Sequence, residues 1–174
     1  MNNFKHFKKN IVLIGMMGSG KTTIGRMISK KLCMDFADSD EYIEKYTGTA
    51  ISEIFKNGEE YFRQVETEAI LKLSRLNSTV ISTGGGTVKK NENIMSLREN
   101  GIIFFIDRSI QNIASNIEIQ KRPLLSGSKN KIFEIFNERY ELYKRSSDII
   151  IKNDKKIEDA AKNIIESYLY FVQK

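Results

Sequence analysis

Four short runs along the chain are nearly continuous in apolar, β-branched residues: Ile11–Ile14, Thr79–Ser82, Ile102–Ile106 and Asp148–Ile151. Runs of that length without polar alternation are what strands buried on both faces of a parallel sheet require. A shorter extended piece around Phe36 supplies a weaker fifth. Between these runs the apolar residues recur at helical spacing. Ile24, Met27, Ile28 and Leu32 form one stripe, and Phe62, Val65, Ala69, Leu73 and Leu76 form a second. The clearest runs through Ile157, Ala160, Ala161, Ile164, Ile165, Tyr168 and Leu169. Strands alternating with helices predict an α/β, three-layer domain with a central five-stranded parallel sheet flanked by helices. No internal repeat or linker interrupts the pattern, so residues 1–174 read as a single domain.

Composition narrows the chemistry. The chain is 40% hydrophobic and 29% charged, ordinary for a globular domain, which sets aside disordered and fibrous classes. A lone cysteine, Cys33, and a lone histidine, His6, exclude a disulfide framework and a Cys/His zinc cluster. Any metal would have oxygen ligands. The formal net charge of +6 suits nucleic acid, anionic lipid or a small anionic substrate and selects none of them. The lysines are scattered, with no basic helix and no aromatic stacking motif, so no nucleic-acid partner is expected. No apolar run approaches the ~18 residues of a membrane span, so no membrane partner is expected either. Lys5, Lys8 and Lys9 ahead of Ile11–Ile14 imitate a secretory signal. The run breaks at Gly15 with no small-residue cleavage site, so it reads as a buried first strand and the expected location is cytoplasmic.

Gly15-Met16-Met17-Gly18-Ser19-Gly20-Lys21-Thr22 matches the phosphate-binding pattern G-x-x-x-x-G-K-[ST] in full, with a strand before it and an amphipathic helix after it. Glycines let consecutive N–H groups face phosphate oxygens where a side chain would block them. The helix that follows adds its positive end. Lys21 supplies a charge for the β- and γ-phosphates, and the Thr22 hydroxyl is placed to ligate Mg²⁺. The loop alone does not separate ATP from GTP, nor a kinase from a GTPase or a motor ATPase.

Other residues bear on that choice. Asp38-Ser39-Asp40 falls at the expected end of the second strand, on the same sheet edge as the phosphate loop. Ser39 or Asp40 could simply cap the next helix. Beside a bound phosphate, Asp38 fits the metal shell and Asp40 the acceptor hydroxyl. Arg63 and Glu66 stand at i and i+3, a spacing that by itself describes an exposed ion pair. Arg139 lies on the apolar stripe of Ile132, Ile135 and Leu142, which directs a guanidinium inward. It needs an anionic partner, either a structural carboxylate or the carboxylate of a substrate. Thr83–Lys90 holds three consecutive glycines, and Lys121–Asn130 holds Arg122 and the only proline, Pro123. Either stretch could be an ordinary surface loop, although long loops in such domains are often functional. On a flap, Arg122 could close over the phosphates.

In order and spacing these features resemble the shikimate kinases. The resemblance runs from Gly15 to Arg139. It takes in the phosphate loop with Thr23-Ile24-Gly25-Arg26, then Asp38-Ser39-Asp40, and Ile54-Phe55 ahead of Gly58-Glu59 and Phe62-Arg63 with Glu66. Ser82-Thr83-Gly84-Gly85-Gly86, Arg122-Pro123-Leu124-Leu125 and Glu138-Arg139-Tyr140 complete it. The resemblance implies a P-loop kinase of the nucleoside-monophosphate-kinase type with a mobile lid at about 121–130 and a shikimate-binding helical segment at about 39–66. It implies transfer of the ATP γ-phosphate to the 3-hydroxyl of shikimate, with Mg²⁺ as cofactor, by a monomer. Lys21, Asp40 and Arg122 would be catalytic. Gly18, Ser19, Gly20, Lys21, Thr22, Thr23 and Arg122 would hold the nucleotide, with the metal at Thr22 and Asp38. Arg63 and Arg139 would hold the substrate carboxylate. Asp40 and Gly84, Gly85 and Gly86 would hold its hydroxyls, Glu66 would support them, and Phe55 and Phe62 would wall the pocket. Many relatives carry an arginine that packs on the adenine where this chain has Ser115, so the base is expected to lean on the segment near Asn153 and Asp154.

A gluconate kinase or nucleoside monophosphate kinase of the same fold would share the phosphate loop without needing Asp40, Arg63, the three glycines and Arg139 together. A P-loop ATPase acting on nucleic acid, or a nucleotide-binding scaffold without catalysis, remains the reading from another class.

Overall fold

Asn10, Ile11, Val12, Leu13 and Ile14 are all buried, which is why strand β1 (Asn10–Ile14) carries almost no polar side chain. In the computed structural model, which describes residues 9–116 and 129–173, β1 lies at the centre of a five-stranded sheet. Its neighbours are β3 (Thr79–Ser82) and β4 (Gly101–Asp107), with β2 (Asp35–Asp38) and β5 (Ile149–Lys152) at the edges. The order is β2-β3-β1-β4-β5 and every pairing is parallel. The weaker strand around Phe36 is β2, and the last strand sits one residue later than the sequence suggests.

Helices cover both faces. Ile11 and Leu13 point to one side with Val80, Phe104 and Ile106, under α1 (Lys21–Leu32) and α8 (Ile157–Val172). Val12 and Ile14 point to the other with Ile81, Ile103 and Phe105. There they meet α4 (Glu59–Leu73), α5 (Asn91–Glu99), α6 (Ile110–Asn116) and α7 (Lys129–Ser146). The alternation along each strand produces the three layers. A smaller cluster of Ile43, Ile54, Phe62 and Ala69 ties α2 (Ser39–Thr47) and α3 (Ile51–Ile54) to α4. Helix α4 stops at Leu73, so Leu76 falls outside the helix and is exposed. Among the described residues no helix is long and apolar enough to cross a membrane.

Parallel strands put all their C-terminal ends on one edge. The loop after β1, the Asp38 end of β2, the glycines after β3 and Arg108 after β4 therefore meet there.

Candidate active site

The phosphate loop joins β1 to α1. Gly15, Gly18 and Gly20 have φ values of 146°, 77° and 98°, backbone that disfavours a side chain. A Cβ on Gly15 would also stand 2.8 Å from the Ile106 carbonyl oxygen on the adjacent strand. Lys21 Nζ donates to the carbonyl oxygens of Gly15 and Met16, both at 2.9 Å, so its ammonium is held against the loop. The Ser19 N–H closes the loop onto the Met16 carbonyl at 3.1 Å, while its buried hydroxyl has no hydrogen-bond partner among the described residues. Asn153 Nδ2 donates to the Ser19 carbonyl oxygen at 2.7 Å and fixes the loop from the β5 side. Asp154 accepts from the Ser109 N–H at 2.7 Å and from Asn112, and these hydrogen bonds hold its carboxyl below the usual carboxylate range. Both residues near the expected base-binding segment thus brace loops. The open cleft over the phosphate loop has Gly18, Gly20, Lys21, Thr22 and Thr23 on one side and Asp38 and Asp40 among the others.

Asp38 ends β2 and uses both carboxylate oxygens. Oδ1 accepts the Asp40 N–H at 3.0 Å and caps α2, so the cap is Asp38 and not Ser39 or Asp40. Oδ2 accepts from the Thr22 hydroxyl at 2.8 Å, and that hydroxyl lies 3.4 Å from Ser82 Oγ. The donors gathered here are hard oxygens. No group of three or more His, Cys, Asp or Glu side chains that could hold a metal occurs among the described residues. That set fits Mg²⁺, which binds through one or two protein oxygens and completes its shell with water and phosphate.

A second cleft opens beside the first and shares Met17, Asp40, Gly84 and Gly85 with it. Helix α4 presents Phe62, Arg63 and Glu66 to it on one face. Arg63 is 4% exposed and Glu66 fully buried, with Nη1 to Oε2 at 2.6 Å. This overturns the reading of an exposed helical pair. Glu59 Oε1 accepts from Arg63 Nη2 at 3.1 Å and from Lys89 Nζ at 3.0 Å, and Lys89 reaches on to Glu138 at 3.2 Å. Burial works against the Arg63 charge, but Glu66 and then Glu59 more than offset it, so the guanidinium pKa stands above its ordinary value. Burial likewise works against the Glu59 charge, yet Lys89 and Arg63 hold its carboxyl below the usual range. Glu66 Oε1 also accepts from Thr87 Oγ1 at 2.9 Å. Phe55 and Phe62 stack with centroids 4.4 Å apart and form an apolar wall.

Arg139, from α7, is the opposite case. It is 2% exposed, and no described carboxylate pairs with it. Nη1 donates to the Gly85 carbonyl oxygen at 3.3 Å, and Nε is buried without a hydrogen-bond partner among the described residues. A guanidinium this deep is costly unless an anion completes it. The glycines beside it are required by close approach. A Cβ on Gly84 would lie 2.8 Å from Glu66 Oε1 and 2.9 Å from Asp40 Oδ1, and one on Gly86 would overlap the Arg63 guanidinium. The Gly84 N–H donates to the buried Ser39 hydroxyl at 2.8 Å.

Met17, Asp40, Gly84 and Gly85 line both clefts. The structure therefore brings together Lys21, Thr22, Thr23, Asp38 and Asp40 in one cleft, and Asp40, Phe55, Phe62, Arg63, Glu66, Gly84–Gly86 and Arg139 in the other. The segment 39–66 comprises α2, α3, a short 3-10 turn and the first half of α4. Arg122 lies outside the described residues with most of the expected lid, while residues 129 and 130 already belong to α7. Sequence reasoning missed Ser39 and Thr87 as braces, Tyr143 against Gly85, and Arg108 on the phosphate cleft. Tyr143 could have been flagged, since it stands four residues after Arg139 on the same helix face.

The chain matches the family model described as shikimate kinase over residues 17–169. It is 44% identical to a shikimate kinase of Clostridium botulinum (strain Alaska E43 / Type E3) over 90% of this chain and 95% of that one. It is equally identical to a shikimate kinase of Clostridium beijerinckii, over 93% and 96% respectively. Among solved structures it is similar to the shikimate kinase from Acinetobacter baumannii in complex with shikimate. The TM-score there is 0.92 at 31% identity, over 98% of this chain and 99% of that one.

Proposed function

The chain belongs to the shikimate kinase family, and from that premise we propose that it transfers the γ-phosphate of ATP to the 3-hydroxyl of shikimate. The products are shikimate 3-phosphate and ADP, in the route to chorismate and the aromatic amino acids. One observation carries the acceptor assignment. Arg139 is a buried guanidinium that lacks a carboxylate among the described residues and lines the same cleft as Arg63, Phe55, Phe62 and Gly84–Gly86. A substrate carboxylate supplies the missing anion in the planar, two-donor geometry that arginine favours. Arg63, already tied to Glu66 and Glu59, is a rigid second donor to the same group.

Asp40 belongs to both clefts, which is the position an acceptor hydroxyl needs. It accepts the hydrogen bond of that hydroxyl and aims its oxygen at the γ-phosphorus. The new O–P bond forms as the bond to the β–γ bridging oxygen breaks, ADP leaves and the hydroxyl proton passes to the Asp40 carboxylate. Gly84–Gly86 let the ring approach the backbone, and Phe55 and Phe62 exclude water from its apolar edge. On the donor side the loop N–H groups, Lys21 and the α1 N-terminus hold the phosphates, so positioning and charge neutralisation supply most of the catalysis. Thr22 and Asp38 would hold Mg²⁺, which when bound neutralises phosphate charge. Arg122, which lies outside the described residues, is assigned to the transferring phosphate from the sequence and the resemblance. A cytoplasmic monomer with no nucleic-acid or membrane partner completes the reading.

A coupled ADP-release assay with ATP, Mg²⁺ and shikimate, with gluconate and nucleoside monophosphates as parallel acceptors, tests it. Turnover with shikimate alone is expected. Turnover only with another acceptor would remove Arg63, Asp40 and Arg139 from their assigned roles and leave the phosphate loop in its own.

A further inference from the structure

β1 and β4 are neighbours in the sheet, but the chain leaves β1 toward β2 on one side and leaves β4 toward β5 on the other. Their C-terminal ends frame the crevice in which open parallel sheets receive ligands. One lip is the phosphate loop. The other is Arg108, the first residue after β4, which lines the phosphate cleft with Gly18, Gly20 and Lys21. Its Nη1 donates to the Gly18 carbonyl oxygen at 3.3 Å, and its Nε is buried without a hydrogen-bond partner among the described residues.

The carboxylates of Asp107, its chain neighbour, and of Asp154, which holds the next residue, Ser109, are engaged elsewhere. Asp107 accepts from Lys152 at 2.5 Å and from the Tyr140 hydroxyl at 3.2 Å, and Asp154 accepts from the Ser109 N–H and Asn112. Arg108 forms no ion pair with any described carboxylate. A five-donor fork left with one weak acceptor among the described residues, beside a loop built for phosphate, is suited to an anion with several oxygens.

We propose that Arg108 is a nucleotide-binding residue whose guanidinium donates to the polyphosphate from the β4 side of the loop, adding a second cation to that of Lys21. This rests on the reading of the cleft as the nucleotide site and is independent of the acceptor.

The test is calorimetric titration of ADP into the wild type and into Arg108→Ala, Arg108→Lys and Arg108→Gln, at low and high salt. Thermal melting and shikimate titration serve as controls. Loss of a charge-assisted contact predicts ADP affinity about tenfold weaker, or worse, in the Ala and Gln variants. The Lys variant should recover most of it, the Ala variant should show a shallower salt dependence, and shikimate affinity should not move. ADP affinity unchanged in Arg108→Ala would overturn the proposal. So would recovery by Gln as complete as by Lys, which would make Arg108 a prop for the Gly18 carbonyl. A wild type that binds ADP but does not phosphorylate shikimate refutes only the acceptor. A wild type that does not bind ADP refutes the nucleotide site and Arg108 with it.

Discussion

The Tyr143 hydroxyl donates to the Gly85 carbonyl oxygen at 2.5 Å, the same oxygen that accepts from Arg139 at 3.3 Å. In a planar trans peptide the N–H of the next residue points away from that carbonyl. Pinning the Gly85 oxygen therefore fixes the direction of the Gly86 N–H in the wall of the acceptor cleft. Tyr143 is buried and stacks on Phe105 at 5.2 Å, so α7, the sheet and the glycine turn are held as one unit. Tyr143→Phe keeps the packing and removes the hydroxyl, and a lost buried hydrogen bond costs about 1 to 2 kcal/mol. The expected outcome is a melting temperature a few degrees lower and a KM for shikimate several-fold higher, with KM for ATP unmoved. Steady-state kinetics with each substrate varied in turn checks it.

Arg139 gives a prediction of opposite sign for stability and function. Replacing a buried charge that has no carboxylate partner among the described residues by an apolar side chain of similar length removes a desolvation cost that the Gly85 carbonyl offsets only in part. Arg139→Met is therefore expected to melt at or above the wild-type temperature without ligand. Shikimate binding, measured by calorimetry, is expected to weaken by about a hundredfold or more, the equivalent of ~2.7 kcal/mol. A variant that melts well below the wild type would mean the guanidinium is satisfied in the free protein.

Asp38 links the Thr22 hydroxyl to the α2 cap, and the two roles separate in Asp38→Asn. An asparagine still caps a helix well, so the fold is expected to stay intact. Removing the negative charge weakens a hard-cation site. Activity should then need roughly tenfold more Mg²⁺ for half-saturation. A Mg²⁺ titration of turnover measures this, and chelation of the metal should abolish turnover in both proteins.

The alkaline limit of stability follows from Tyr168. Its hydroxyl donates to the Lys9 carbonyl oxygen at 2.8 Å, and burial pushes its pKa up to about 12. The unfolded chain releases that proton near pH 10. Stability is therefore intact below about pH 10 and falls between about 10 and 12, where the unfolded state is ionised and the folded state is not. The slope from this one group approaches 1.4 kcal/mol per pH unit. Burial raises the Tyr143 hydroxyl as well and steepens the loss. Denaturant melts across this range should show the decline, and Tyr168→Phe should flatten part of it.

The strands and the long helices were legible because buried parallel strands need unbroken β-branched runs and covering helices need a stripe. Helix α5 was not, since only Ile94 and Leu97 mark its buried face among the apolar residues. The same division holds in the site. Residues in contiguous motifs, such as Lys21 and Thr22, announce themselves because a loop that wraps phosphate is local. Their braces come from far along the chain and leave no local signal. Ser39 stands 45 residues from Gly84, Tyr143 stands 58 from Gly85, and Asn153 stands 134 from Ser19. For Arg63 and Glu66 the spacing was visible but not their burial, which depends on Thr87 and the glycine turn closing over them.

The wall of Met17, Asp40, Gly84 and Gly85 that both clefts share has a consequence for molecules made to bind here. A cyclic carboxylate joined to a nucleotide through its phosphates would not have to bridge intervening protein. The tether would run over two glycines that offer no side chain to obstruct it. Once one end is seated, the other searches a small volume at high effective concentration. Such a two-headed compound would draw its selectivity from Arg139 and its grip from the phosphate loop, two sources that separate inhibitors of either cleft cannot combine.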